Sequence, residues 1–516
     1  MLDTSGDRSL TDLLQERVTL YGERTFLVFE DRDEQVSELT YGEFDARVEE
    51  CARGLAALGV EVGARVVVHL RNSPEFLIAW FAIVRLGAVM VPSNVANTAS
   101  ELEYLVGFTE AMLAITQPDY RAAVEQAIAA VGSATKLVIA RGEADGAVAF
   151  DDLPSLTDEP PPRPPVGGED VAELLFTSGT TTKPKAVMLT HAIAIRGGLD
   201  TVHSLWLDEG ERCFTALPLF HVNGQCLTIL AAITVAGTAI VMEEFRASRF
   251  WSQIRRHRAS QTAIVAMQLR TLNAQPPDAH EREHELRRVF YAINVADHEK
   301  EQFEERYDVS LINGYGLSEA MTLLTAAPVV GPRRWPSIGL PSPGRTLSLR
   351  DEDGNEVPVG EVGEICVRED PGRGIMLGYF RDEQATAQAI RDGWLHTGDN
   401  AYADAEGFLY FFDRKKDMIK RAGENISASE VEAVLVAHPM VAEAAVVGVP
   451  DAIRDEAVAA VVVPVEGCAP SSEELVEHCS QRLSRFKVPT IVTFASELPK
   501  TSIGKVRKDE LRKGLL

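Results

Sequence analysis

Between Leu174 and His191 the chain reads LLFTSGTTTKPKAVMLTH. An apolar run, Leu174 to Phe176, leads straight into Thr177, Ser178, Gly179, Thr180, Thr181 and Thr182, then Lys183, Pro184 and Lys185. Hydroxyls and backbone N–H groups donate hydrogen bonds, and lysine brings a mobile positive charge; together they suit a polyphosphate. The same composition also describes a solvated Ser/Thr-rich surface loop. It is not the Walker-type phosphate loop, which needs a second glycine followed by Lys and Ser/Thr, because Pro184 stands where that glycine would be.

Four further segments carry residues of chemical interest. Asn313 to Ala320 reads NGYGLSEA, Gly393 to Asp399 reads GWLHTGD, Asp413 to Ile426 reads DRKKDMIKRAGENI, and Pro499 to Lys508 reads PKTSIGKVRK. They offer an aromatic ring, carboxylates and lysines. Taken singly, each has a plain structural explanation as a core tyrosine, a solvated acid or a surface lysine.

Such groups need a scaffold. At 516 residues the chain is too long for one core, so two or more domains are expected. Net charge is −26, which argues against a general nucleic-acid binder. Six cysteines, with no CxxC pair and no zinc-ligand spacing, suit a reduced cytoplasmic protein. The N-terminus, polar and acidic early, does not read as a signal peptide, and no apolar run is long enough to insert in a membrane.

Strand-like runs recur at Arg65–Leu70, Ala88–Pro92, Lys136–Ala140, Gly237–Met242, Gln261–Ala266 and Val289–Asn294, most of them separated by helical stretches such as Ser73–Leu86. That alternation predicts α/β layers with largely parallel sheets. Cys213–Met242 reads as a buried helix followed by a core strand, and Asp158–Asp170 as a stiff Pro/Gly-rich connector. Beyond about Arg345 the texture changes: Glu361–Arg368 and Gly407–Phe412 alternate like antiparallel strands near turns. The last hundred residues read helix, strand, strand, helix, over Ser429–Ala437, Val441–Val449, Ala457–Pro464 and Ser472–Phe486. The expected fold is α/β: a large N-terminal domain, residues 1–413, of layered α/β subdomains plus a β-rich subdomain, and a small mobile α+β domain, residues 414–516.

In their order and separation, the five motifs resemble those of the adenylate-forming superfamily: acyl-CoA synthetases, nonribosomal-peptide adenylation domains and luciferases. Phe290–Val309, Arg333–Gly339, GWLHTGD and Asp413–Ser427 look most like the bacterial crotonobetaine/carnitine-CoA ligases. The resemblance implies a two-step ligase. A carboxylate is a poor acyl donor because its leaving group would be oxide; ATP converts it to an acyl-AMP whose leaving group is AMP, and CoA then takes the acyl group. Carboxylic acid, ATP, Mg²⁺ and CoA are the implied small molecules.

The same resemblance implies roles. Thr177, Ser178, Gly179, Thr180, Thr181 and Lys185 would hold the β- and γ-phosphates. Thr182 and Ala186 stand where relatives often have glycine, which implies a somewhat stiffer loop. Tyr315 would stack on adenine with Asn313 and Gly314 lining the base, Ser318 would bond the α-phosphate, and Glu319 would bind Mg²⁺. Asp399 would take the ribose hydroxyls with Arg414 as its partner, Lys416 would be the hinge, and Lys505 the catalytic lysine of adenylation. His221 would lie between acyl pocket and acceptor tunnel, and Gly423 would pack against pantetheine, with Ala422 beside it where carnitine-type relatives frequently have glycine. A cationic acid such as carnitine would need an aromatic cage or an acid for its trimethylammonium group; Trp206, Phe220 and Trp251 are candidates only by proximity to His221. Other acceptors fit the same first step: an amine such as an amino acid, giving an amide, or a separate carrier protein. A luciferase-like oxygenase and a non-catalytic ATP-binding protein are the remaining alternatives.

Overall fold

The computed structural model describes residues 7–177, 184–292, 295–414, 417–421, 424–451, 455–483, 485–500 and 506–515. Among these, four sheets form. The first runs Leu340–Pro341, Thr322–Ala326, Leu311–Leu317, Arg288–Ala292, Gln261–Val265, Arg212–Thr215, Thr238–Met242, Thr25–Glu30, Val36–Thr40. Its centre is parallel, and antiparallel strands close both edges. The second runs Gly378–Tyr379, Lys185–Thr190, Val171–Thr177, Val89–Pro92, Arg65–His69, Leu113–Thr116, Lys136–Ile139, Val148–Ala149. It too is parallel except where Lys185–Thr190 turns back on Val171–Thr177 and Gly378–Tyr379 adds to it.

The local sequence explains the elements between. Pro74–Arg85 starts where the Ser73 hydroxyl accepts from the Phe76 N–H and proline takes the first turn. From Phe76 onward every residue of that helix is buried, as befits a helix apolar on all sides between two layers. His191–Leu205 is capped by Thr190 and is buried along most of its length.

The Cys213–Met242 stretch departs from expectation. Its first residues complete the strand Arg212–Thr215 and are not helical. The helical part begins only at Val222, beyond Pro218, and contains a π-helical turn, Gln225–Leu230, before the strand Thr238–Met242. The β-branched and aromatic character of RCFT, closed off by a proline, favours the strand.

The third sheet is antiparallel: Leu347–Arg350, Gly363–Val367, Trp394–Ala403 and Ile390–Arg391 in order, with Leu409–Arg414 also on Trp394–Ala403. Its Ile365, Val367, Leu395 and Ala401 join the main core. The chain then enters the fourth sheet: Glu424–Ile426, Ile419–Arg421, Asp455–Pro464 and Val441–Asp451, plus Ile491–Phe494. This last unit has its own core, from Ile419 to Val488, the mark of a separate folding body. It holds more strands than its sequence suggests, and its second helix is shorter. Ser472–Ser480 stops early, where the tighter bond from the Arg482 N–H to the Cys479 carbonyl at 3.0 Å closes the last turn and Lys487 is held by Glu430 at 2.7 Å. Among the described residues no helix is long and apolar enough to cross a membrane.

One buried ion pair joins the layers. Arg345, 0% exposed, meets Asp200 of the helix His191–Leu205, 1% exposed, at 2.6 Å. Arg345 also donates to the carbonyls of Ala320 and Gly374, and Arg196 shares Asp200 at 2.7 Å. Removing one partner of a buried pair strands the other charge away from water. Asp200→Asn is therefore expected to cost about 3 kcal/mol of stability. A lowered urea midpoint with an unchanged slope would show it; an unchanged midpoint would refute it.

Candidate active site

The hydroxyl-rich segment is the connection of a β-hairpin. Thr177 ends one strand, Lys185 begins the next, and the two are register partners. Ser178, Gly179, Thr180 and Thr181 lie outside the described residues, as do Lys416, Gly423 and Lys505; Arg414 is described in its main chain only, as the end of the strand Leu409–Arg414. The hairpin base is fixed from the side: Tyr104 donates to the Pro184 carbonyl at 3.1 Å.

Two clusters of site residues stand out. In the first, the Lys185 ammonium lies 4.7 Å from the centroid of the Tyr379 ring, a cation–π contact. The Tyr379 hydroxyl donates to the Glu319 carboxylate at 2.9 Å. Burial first, then the Glu319 charge, raises the Tyr379 phenol well above the ordinary tyrosine value, so it stays protonated and donates. Glu319 sits on the short 3-10 turn Ser318–Ala320. That turn is held at its main chain by Met376, whose N–H reaches the Glu319 carbonyl at 2.6 Å, and by Arg345 on Ala320.

The second cluster joins residues far apart in sequence. The Tyr315 hydroxyl donates to Asp399 at 2.7 Å. Asp399 sits in a bulge: Cys366 faces His396, yet Glu364 faces Asn400. One residue on one strand is thus spanned by Thr397, Gly398 and Asp399 on the other. Gly398, at φ +74°, supplies the left-handed turn that the bulge needs. Tyr315 and Glu319 belong to one strand and the turn that follows it, so the two clusters are fixed relative to each other.

Asn313 and Gly314 have structural work as well. The Asn313 amide donates to the Ser337 carbonyl at 2.8 Å. A Cβ at Gly314 would lie 2.6 Å from the Phe290 ring and 2.7 Å from the Thr325 carbonyl, so no side chain fits. Ser318, half-buried, precedes Glu319 on the turn.

His221 precedes the helical run that includes the π-helical turn. Enclosure pushes its pKa down to about 4, leaving a neutral imidazole whose Nε2 has no protein partner. Nearby in the fold, the Gln225 amide donates to Glu173 at 3.0 Å, and burial lifts Glu173 to about 8. Of the three aromatic residues noted for a cationic acid, Phe220 has its ring centroid 4.7 Å from that of His221. Trp251 is instead stacked on Tyr307 and His284, and Trp206 is 59% exposed at a helix end.

Sequence reasoning missed Tyr379, Arg345 and Glu173. Tyr379 sits in a two-residue strand, too short for any periodicity. Arg345 lies in a Ser-Pro-Gly-Arg stretch that reads as a turn.

Comparisons with known proteins agree with this architecture. Residues 14–380 match the model for AMP-binding enzyme, and residues 430–505 that for its C-terminal domain. The chain is 36% identical, over 99% of its length and 100% of the relative's, to a crotonobetaine/carnitine–CoA ligase from Escherichia coli. Among solved structures it is similar to the anthranilate CoA ligase AuaEII in complex with anthranoyl-AMP, with a TM-score of 0.87 and 26% identity over 98% of this chain and 97% of that one. ATP-bound MatB from Rhodopseudomonas palustris gives 0.87 and 27%, over 98% of both chains. The resemblance first carried by five short motifs thus extends over nearly the whole length, and the chain belongs to the AMP-binding enzyme family.

Proposed function

We propose that this enzyme joins a carboxylic acid to CoA in two steps. First, a carboxylate oxygen attacks the α-phosphorus of ATP, acyl-AMP forms and pyrophosphate leaves. Second, the CoA sulfur attacks the acyl carbon; the thioester forms, AMP leaves, and the thiol proton passes to solvent. The observation that carries this reading is the bonded series Lys185–Tyr379–Glu319 beside the phosphate hairpin, fixed to the Tyr315–Asp399 pair.

Each residue then has a task. Thr177 and Lys185, with Ser178, Gly179, Thr180 and Thr181 between them, grip the phosphates that leave. Tyr315 stacks on adenine beside Asn313 and Gly314, and Asp399 accepts from the ribose hydroxyls with Arg414 as its partner. Ser318 bonds the α-phosphate. A half-buried carboxylate next to phosphate oxygens and water is the donor set that Mg²⁺ takes; Glu319 would hold the ion, which there neutralises phosphate charge. Neutral His221 lines the path between acid and acceptor. The unit from Arg414 onward turns about Lys416, presenting Lys505 for the first step and Gly423 for the second.

Tyr379 is a positioning residue in this scheme. A hydrogen bond to a charged group contributes about 1.5–3 kcal/mol. Tyr379→Phe keeps the ring under Lys185 but frees Glu319, so pyrophosphate exchange should fall about 10-fold, with more Mg²⁺ needed for half-maximal rate. An unchanged Mg²⁺ requirement would show that the hydroxyl does not serve Glu319.

The acid is found by assaying a panel for ATP–pyrophosphate exchange: carnitine, crotonobetaine, anthranilate, benzoate and o-succinylbenzoate. The active acid is then tested for AMP release with and without CoA. Release that follows an added amine and ignores CoA would replace the ligase by an amide synthetase, with the adenylation residues unchanged.

A further inference from the structure

The third sheet carries, on the face opposite the core, a cluster that adenylation does not use. Ile365 and Val367 point into the main core, so Glu364 and Cys366 share the other face. His396 is the cross-strand partner of Cys366 on one side, and Ser348 is its partner on the other. The bulge around Asp399 draws Glu364 towards His396: its Oε2 lies 3.1 Å from His396 Nδ1, and Cys366 Sγ lies 3.4 Å from the same nitrogen. Glu364 is 7% exposed and Cys366 0%.

That nitrogen is over-committed, because Arg391 also brings an N–H within 3.1 Å of it. A bare Nδ1 accepts from Arg391 or Cys366 but turns its lone pair on the Glu364 carboxylate. A protonated Nδ1 donates to Glu364, and then Arg391 meets another donor. Neither tautomer serves all three neighbours. Carboxylate oxygen, sulfur and imidazole nitrogen lie within 4.8 Å of one another, and a borderline-soft divalent cation is a partner that all three accept. Ser348, 8% exposed and on the same face, has an Oγ with no hydrogen-bond partner.

We propose that Glu364, Cys366 and His396 form a binding site for a divalent cation of the zinc class. Binding takes Cys366 as thiolate, with its proton released to solvent, His396 as the neutral imidazole through Nδ1, and Glu364 as carboxylate. Arg391, 49% exposed, swings into water as the cation replaces it. Two further cations beside this face, Arg350 and Arg368, lie over the Trp394 ring, 4.0 and 5.8 Å from its centroid.

The site also reaches the nucleotide, a link that rests on the role given to Asp399 above. Glu364 Oε1 accepts from the Gly398 N–H at 2.9 Å, and Thr397 donates to the Ile365 carbonyl at 2.8 Å. The carboxylate that binds the cation therefore also holds the bulge behind Asp399, and cation binding shifts the KM for ATP.

Cobalt(II) titration of the full-length protein reads the site without any substrate. The expected result is a thiolate-to-cobalt charge-transfer band saturating at one equivalent, absent in Cys366→Ser. His396→Gln should weaken binding by roughly 10–100-fold, and Arg391→Ala should tighten it. No band, or a band of unchanged affinity in His396→Gln, overturns the proposal even if Cys366→Ser fails to fold. The KM for ATP, measured with and without one equivalent of Zn²⁺, should move in the wild type and stay fixed in His396→Gln; an unmoved wild-type KM overturns the link to the nucleotide. Because metal binding is read optically, its failure is distinguishable from failure of the adenylation reading.

Discussion

Lys505→Ala is expected to lose ATP–pyrophosphate exchange by about 10²–10³-fold, the loss that follows removal of one preorganised group facing developing transition-state charge. It should still convert supplied acyl-AMP and CoA to acyl-CoA. The division follows from where Lys505 is attached. On either side of it, Lys500 and Val506 pair as an antiparallel bridge, and Arg507 donates to the Pro499 carbonyl at 2.8 Å. Lys500 is itself held by Glu443 at 2.5 Å, and Val506 and Leu511 pack on the small core around Ala445 and Val461. On the role proposed for it, Lys505 would reach the α-phosphate only when the whole C-terminal unit is closed for the first step. Single-turnover assays of the two half-reactions make the comparison, and equal loss in both would refute the separation of roles.

Glu319→Gln should be comparably severe for another reason. A carboxylate that holds Mg²⁺ against the phosphates contributes several kcal/mol of charge stabilisation, about 10³-fold in rate. The amide retains the shape and can still accept from Tyr379, so thermal unfolding should move little. Pyrophosphate exchange should collapse and be partly restored by excess Mg²⁺. Near-normal exchange at low Mg²⁺ would mean that Glu319 only anchors the turn it occupies.

The sequence was informative where chemistry is local. Ser73 and Pro74 announce their helix because capping and proline geometry act within one turn. The strand Arg65–His69 announces itself through an unbroken β-branched run. The five motifs identified Tyr315, Glu319 and Asp399 as residue types suited to a nucleotide site, but not that Tyr315 would bond Asp399, since that contact depends on a bulge opposite Glu364 and Cys366. Tyr379 was invisible for the same reason: it acts through pairing with Val187 on a distant strand. Arg345 is a turn residue until Asp200, Ala320 and Gly374 converge on it from three segments. The helix expected to run to Phe486 looked continuous because amphipathic spacing persists, whereas contacts from Glu430 to Lys487 bend the chain away.

The pairing of Gly378–Tyr379 with Lys185–Thr190 also sets an order on biosynthesis. Until Tyr379 has been made, Lys185–Thr190 is an open sheet edge with unpaired N–H and C=O groups, able to recruit a strand from another nascent chain. At roughly 5–20 residues per second, the interval between the two segments lasts about 10–40 s. Early release at that stage, by a premature stop or a stalled ribosome, leaves Lys185–Thr190 as an unguarded edge and makes such fragments prone to co-aggregate.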